Sequence, residues 1–524
     1  MSETPVFSTA AVAAPHPLVA ETGFTILAAG GNAVEAAVAM AASAAVLCPQ
    51  VVGLGADGFW LVREPGGRAH ALDASGPAGS LATIRRYRDK GYEALPLEGA
   101  DAALTVAGAV SGWALALELA RSRGGRMPLD LLLADAIRLA KGTAPAAAPE
   151  PFPPAGQEGS VVPPSPEGQG SAPETLRPSS MLAETLGQLA HAGLRDFARG
   201  DVGREIAADL ERLGSPVQRR DLENYRARAV EPLSVRLQAA TLFAPPPPSQ
   251  GLATLLAAGI LDRMAVRRTE SAAHHHALIE ALKRAYAVRD RIVTDPWEVP
   301  REPSSFLRPE RLEREAAAIE AQRAAAFTTP APPQGRSLWI GCIDRDGLAV
   351  SCVHSLGPEG GSGCVLPATG ILWHARGMGF SLDSGGWKPL APGRRPFHAL
   401  APALAAFADG RVLVLGAGGA EEPQVQVQTF ARHAGIGMSP AEAVEVPRWA
   451  LMPATGTEPA VLRIEAEFDP ALARDLSRLG HRVGEAGTGP AAAFGEAGFL
   501  VKHPRDGRVA GASDPRSGGA VLGL

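Results

Sequence analysis

Gly335-Arg336-Ser337-Leu338-Trp339-Ile340-Gly341-Cys342-Ile343-Asp344-Arg345-Asp346-Gly347-Leu348-Ala349-Val350-Ser351-Cys352-Val353-His354-Ser355 reads as two apolar, β-branched runs around Asp346-Gly347. That pattern predicts a β-hairpin. A turn centred on Asp346-Gly347 sets Ser337 opposite Leu356; a turn one residue earlier sets it opposite His354. Either way Ser337 opens one strand, and Ser355 lies near it at the end of the other. A hydroxyl at the head of a strand, after a loose loop, is where chain cleavage releases an N-terminal nucleophile. The hairpin alone favours a plainer reading, an ordinary surface hairpin, because hairpins are common and such nucleophiles rare.

Upstream, Thr328-Thr329-Pro330-Ala331-Pro332-Pro333-Gln334-Gly335-Arg336 is proline-rich. Proline removes a backbone donor and biases its predecessor to extended forms, which predicts an exposed, cleavable linker over 328–336. Residues 144–179 are rich in Pro, Ala, Gly, Ser and Glu and predict an irregular surface loop. Helical patterning covers 18–48, interrupted at Gly30-Gly31-Asn32, then much of 102–141 and 181–227. Pro245 to Pro248 form a stiff turn before another helix, and a further helix carries His274-His275-His276. Gly53-Leu54-Gly55-Ala56-Asp57-Gly58 opens an apolar strand rather than a helix, so it is not a dinucleotide fingerprint. Downstream of the hairpin come short strands to about 420 and helix over about 424–446. Strands and helices mix without a βαβ rhythm, which predicts a layered α+β core.

The chain has 524 residues, enough for a large core; 46% are hydrophobic, and the net charge of −5 argues against nucleic acid as the main partner. No apolar run has the length of a membrane span and no secretory signal is seen, so the expected location is cytoplasmic. Cys48, Cys342, Cys352 and Cys364 form neither a disulfide framework nor paired metal spacing. Cys342 and Cys352, within the hairpin strands, read as buried thiols. Consecutive helical histidines point in different directions and cannot converge on one ion. A helix surface with at most one functional histidine is the expectation there, and no metal is expected.

An ordered set of strings along nearly the whole chain resembles the γ-glutamyltranspeptidase family of N-terminal-nucleophile hydrolases. It includes Ala14-Pro15-His16-Pro17-Leu18, Gly30 to Val38, Gly55-Ala56-Asp57-Gly58-Phe59, Thr105 to Trp113, Pro247-Pro248-Ser249-Gln250-Gly251 and Asp295-Pro296. Asp344-Arg345-Asp346-Gly347, Arg395-Pro396-Phe397-His398 and Gly511 to Ser517 complete it. The Phe397-His398 variant is more similar to the amidohydrolase-like branch than to the glutathione-processing members.

The resemblance implies a four-layer αββα sandwich made as one chain that cuts itself once. A hydroxyl then attacks an amide carbonyl with its own α-amine as base, and no metal or organic cofactor is needed. Counting back from Asp344, the nucleophile falls on Ser337, where the family has threonine; serine supports the same acyl chemistry. Cleavage before Ser337 divides the chain into a large-subunit-like region, 1–336, and a small-subunit-like region, 337–524, that stay together as a heterodimer. Ser355 matches the hydroxyl that bonds the nucleophile's amine, and Gly418-Gly419 match the pair whose N–H groups form the oxyanion hole.

Several matches fail. Pro77 stands where the family's carboxylate-binding arginine follows Ala74-Ser75-Gly76, and His398-Ala399 replace its serine pair. Gly357 replaces an asparagine, and the amine-binding aspartate falls near Gly379. The head group of glutathione therefore loses its contacts, and a smaller amide is the expected substrate, its acid held by Arg394, Arg395 or His398. Two alternatives accompany this reading: an uncleaved, non-catalytic homologue with a binding or scaffold role, and an acylase or oxamate-type amidase.

Overall fold

In the computed structural model both runs of the hairpin are strands, Arg336–Ile343 and Ala349–Gly357. The structure describes residues 3–142, 180–264, 266, 270–328, 335–419, 422–452, 460–487 and 494–524. The loop expected over 144–179 and residues 329–334 of the linker lie outside them. Along Arg336–Ile343 the side chains alternate between two dry environments, as the period of a strand requires. Trp339 and Ile343 enter one apolar cluster, and Leu338, Ile340 and Cys342 another. A strand buried on both faces is an inner layer, not a surface hairpin.

Two seven-stranded sheets form those inner layers, each antiparallel at every pairing. The first runs Ala520–Gly523, Ala11–Ala14, Arg336–Ile343, Ala349–Gly357, Asp57–Arg63, Ala69–Ala74, Arg228–Val230. The second runs Val6–Phe7, Val509–Ser513, Glu496–Lys502, Val412–Gly418, Ala403–Phe407, Ala240–Ala244, Leu233–Arg236. Phe59, Leu61, Trp339 and Val353 of the first meet Leu404, Val414 and Leu500 of the second. Helices cover both outer faces. Ala33–Leu47 and its neighbours pack on the first sheet; Gly251–Leu261, Ala272–Ile292 and Glu422–Ala431 pack on the second. The fold is the four-layer αββα sandwich.

Between the turn and the bulge, from Leu338 to Ile343, the hairpin takes neither expected register; at Arg336 it returns to the one set by a turn centred on Asp346-Gly347. Leu338 faces His354 and Ile343 faces Ala349, with a bulge between Arg336 and Leu338 beyond which Arg336 pairs with Gly357. An odd-numbered turn explains this: the Asp344 carboxylate accepts from the N–H groups of Asp346 and Leu348, and Gly347 takes φ +88°. That left-handed conformation suits glycine. The same carboxylate accepts from the Ala33 N–H at 3.0 Å, fixing the hairpin to the buried helix Ala33–Leu47. Asn32 and Glu35 close a capping box at the start of that helix, so Gly30-Gly31-Asn32 acts as the expected stop and start.

The exposure expected of the linker does not extend to the Arg336–Ser337 bond. Arg336 is half-buried and paired in the sheet, Ser337 is buried, and Gly335 lies against the Gly357 carbonyl. The three histidines also depart from expectation. His274, His275 and His276 are all buried, because their helix is enclosed by other elements rather than lying on the surface. His275 accepts from the Trp449 indole, and His276 pairs with His481 at 2.8 Å.

Candidate active site

Ser337 shares the inter-sheet face of its strand with Trp339, so its hydroxyl lies at the bulged end of that strand, between the two sheets. The hydroxyl donates to Glu422 Oε1 at 2.7 Å, and the other oxygen of Glu422 accepts from the Ala401 N–H at 2.6 Å. Glu422 opens the helix Glu422–Ala431, where the unpaired N–H groups favour a negative group. The hydroxyl of Ser355, across the hairpin, donates to the Arg336 carbonyl oxygen at 2.6 Å and accepts from the Gly357 N–H at 2.9 Å. That carbonyl belongs to the bond before Ser337. The Arg336 side chain is itself pinned by Glu496 at 3.1 Å. Burial holds the Glu496 carboxyl up at about 7 against the opposing pull of Arg336.

Gly418 and Gly419 arrive from the second sheet. A Cβ on Gly418 would stand 2.7 Å from the Ser337 carbonyl oxygen, so only glycine permits this approach. Gly419, at φ +88°, donates its N–H to the same oxygen at 3.2 Å. The glycine pair therefore adjoins Ser337, and in the continuous chain one of its donors is already engaged there.

Behind Ser355 lies a charged group absent from the sequence expectations. Arg376 is buried and donates Nη1 to Ser355 Oγ at 3.4 Å and Nη2 to His398 Nδ1 at 2.8 Å. A guanidinium can only donate, so the His398 proton belongs on Nε2, which faces Asp57 Oδ2 at 3.3 Å. Asp57 also accepts from the N–H groups of Gly76 and Gly108 and stands 3.7 Å from His374 Nδ1. Burial pushes the Asp57 carboxyl up to about 8, although Arg376 opposes this. Burial pushes His398 well down and His374 down to about 3. Arg376 is lowered by burial to about 10 and stays charged at neutral pH.

Of the three expected substrate-binding residues, His398 joins this network through Arg376. Arg395 donates from its backbone to Asp295 at 2.6 Å and from Nε to the Ser75 carbonyl at 3.1 Å. Arg394 is bound to Glu298 at 2.7 Å on the exposed side. Elsewhere His276, Glu280 and His481 converge closely enough to suggest a metal set. They already satisfy one another and their surroundings: Glu280 holds Lys283 at 2.5 Å and the Ala325 N–H, and His276 also faces the Glu320 carbonyl.

The γ-glutamyltranspeptidase family model matches residues 19–524. The chain belongs to this family. An oxamate amidohydrolase proenzyme of Klebsiella pneumoniae subsp. pneumoniae is 42% identical over 519 residues, covering 97% of each chain. A glutathione hydrolase-like YwrD proenzyme of Bacillus subtilis is 32% identical, covering 98% of each. A crystal structure of cephalosporin acylase from Bacillus halodurans superimposes with a TM-score of 0.86 at 28% identity, covering 100% of this chain and 97% of that one. Like these γ-glutamyltranspeptidase-family relatives, the protein is an enzyme of the amide-hydrolase kind. Among the described residues no helix is long and apolar enough to cross a membrane.

Proposed function

We propose that Ser337 is the nucleophile of a self-cleaving amide hydrolase that acts on a small amide other than glutathione. The observation that carries the reading is the pair of contacts around one peptide bond. Ser355 donates to the carbonyl oxygen before Ser337, and the Ser337 hydroxyl meets a buried carboxylate. A bond that is half-buried and paired in a sheet is a poor target for an outside protease, which favours cleavage from within.

In the uncut chain the Ser337 nitrogen is an amide and cannot act as base, so Glu422 accepts the hydroxyl proton. The oxygen attacks the Arg336 carbonyl carbon while Ser355 holds the developing oxyanion. The carbon–nitrogen bond breaks, and the proton passes to the departing nitrogen, now the α-amine of Ser337. Water hydrolyses the ester, leaving an Arg336 carboxylate and a free Ser337. The products, 1–336 and 337–524, remain one heterodimer because the first sheet contains strands from both. In turnover the α-amine serves as base, an acyl–Ser337 ester forms, and water releases the acid. Gly418 and Gly419 then supply oxyanion donors once the cut frees the Ser337 end to move. Water rather than a second amine is the acceptor, so the activity is hydrolysis rather than transfer.

Oxamate is the substrate class suggested by the 42% relative, and the missing γ-glutamyl contacts at Pro77, Gly357 and Gly379 agree with a smaller acyl group. The four free cysteines, three of them buried, suit a reducing compartment such as the cytoplasm. The test is rapid-quench mass spectrometry of the mature protein with a slow amide substrate. The 337–524 fragment should gain the acyl mass, and Ser337→Ala protein should stay whole and unlabelled. Label on any other residue, or turnover by the Ser337→Ala chain, contradicts the reading.

A further inference from the structure

We infer that Arg376 is the carboxylate receptor of the active site, so the substrate is a short amide whose acyl part carries a carboxylate next to the scissile carbonyl. The inference rests on Ser337 being the nucleophile and goes further by naming what the acyl pocket binds.

The position of the guanidinium comes first. In the uncut chain the Arg336 acyl group occupies the place that a substrate's acyl group takes after the cut, since both react with the same hydroxyl. Ser355 donates to that carbonyl oxygen at 2.6 Å, and Arg376 Nη1 lies 3.4 Å from Ser355 Oγ. A carboxylate one bond from the substrate carbonyl is therefore within reach of Arg376. A longer γ-glutamyl chain would carry its carboxylate several bonds past it.

The charge is the second observation. Among the described residues the hydrogen bonds of Arg376 go to His398 and Ser355, both uncharged. Asp57 and Glu422 attract it, but Asp57 is held mostly neutral by burial, and Glu422 is bound to Ser337 and Ala401. A buried cation hydrogen-bonded only to neutral groups is costly unless an anion joins it. Arginine is suited to that anion, since its fork matches the two oxygens of a carboxylate.

The third observation explains a departure from the family pattern. A Cβ at Gly357 would stand 3.3 Å from Arg376 Cδ and 3.3 Å from Met378 Sδ. The glycine that replaces the family's asparagine is the space through which the arginine passes. The carboxylate function lost at Pro77 is thus regained at Arg376.

The experiment compares oxamate with its neutral analogue oxamide on mature wild-type protein and on Arg376→Lys and Arg376→Gln. We expect wild type to prefer oxamate in kcat/KM by roughly 10-fold or more, chiefly through KM. Arg376→Gln should lose that preference while still turning over oxamide, and Arg376→Lys should keep part of it. Equal use of both amides by wild type overturns the inference and leaves Ser337 in place, as does an unchanged preference in Arg376→Gln. The wild-type comparison decides the matter even where a variant fails to mature. No turnover of any amide, with no label on Ser337, overturns the nucleophile reading and this inference together.

Discussion

At the scale of single residues the chemistry depends on which groups surround one carbonyl. Replacing Ser355 with alanine removes the donor to the Arg336 oxygen, and one oxyanion donor is worth about 100-fold in rate. Pulse-labelled Ser355→Ala protein should therefore cleave about 100-fold more slowly than wild type, while the loss of the buried hydroxyl's three hydrogen bonds lowers its thermal midpoint without preventing folding. Cleavage at the wild-type rate would remove Ser355 from the step. A second prediction concerns Asp57, which faces Arg376, His398 and His374 and is held by the N–H groups of Gly76 and Gly108, with Asp73 nearby. Its carboxyl, raised by burial to about 8, becomes an internal counter-ion for Arg376 as pH passes that value. The KM for oxamate should rise above about pH 8 while the KM for oxamide stays level, as initial-rate assays across that range would show. Ser337 and Ser355 were legible in the sequence because a hairpin brings close neighbours together. Arg376, Asp57 and Glu422 were not, because none meets its partners through a hairpin or a helical repeat, and a lone charged residue leaves no periodic signal. The one available clue was the Glu421-Glu422 pair, which follows Gly418-Gly419-Ala420, with Glu422 at the start of a helix. Arg394 and Arg395 stand beside Phe397-His398 in the sequence, yet in the fold each is bound to other groups.

At the scale of elements the sheets meet through Trp339. A Cβ added at Gly416 or Gly498 would stand 1.8 Å from its ring, so two glycines of the second sheet leave room for one indole of the first. Its N–H donates to Ser351 at 2.9 Å. Trp339→Ala should lower stability by about 3–5 kcal/mol, and Gly416→Ala should cost about 1–3 kcal/mol or more through overpacking. Urea titration checks both; a Gly416→Ala midpoint equal to wild type would contradict the packing. This contact could not be read from sequence, whereas the strands and helices around it could. Continuous apolar runs marked the strands but not their burial on both faces, and Gly-Gly-Asn marked the break between helices. The register was missed because the Asp344 carboxylate builds an odd-numbered turn, a choice made by side-chain hydrogen bonds rather than by the pattern of apolar residues.

At the scale of the whole molecule, burial of titratable groups sets the dependence on pH. His16, His274, His275, His354, His374, His398, His433 and His481 are all lowered by burial. The unfolded chain binds their protons more readily, so stability is lost as pH falls below about 6.5. Asp57 and Glu496 are raised to about 8 and about 7, and Asp344 is raised as well. Their contribution has the opposite sign: it is full below about pH 4 and is lost as pH rises through their folded values. At pH 6.5 the eight histidines are still about half protonated in the unfolded chain and outweigh Asp57 and Glu496, while Lys388, lowered by burial to about 8, adds stability as pH rises further. Urea midpoints should rise from about pH 5 through 6.5 and level off between about pH 7 and 8; a fall between pH 5 and 6.5 would contradict this. The most direct check on self-cleavage by Ser337 is the intact mass of purified wild-type protein after prolonged incubation without added protease. Two fragments are expected, 1–336 and 337–524, the second beginning with an unblocked Ser337; one undivided chain, or a break at any other bond, would contradict self-cleavage there.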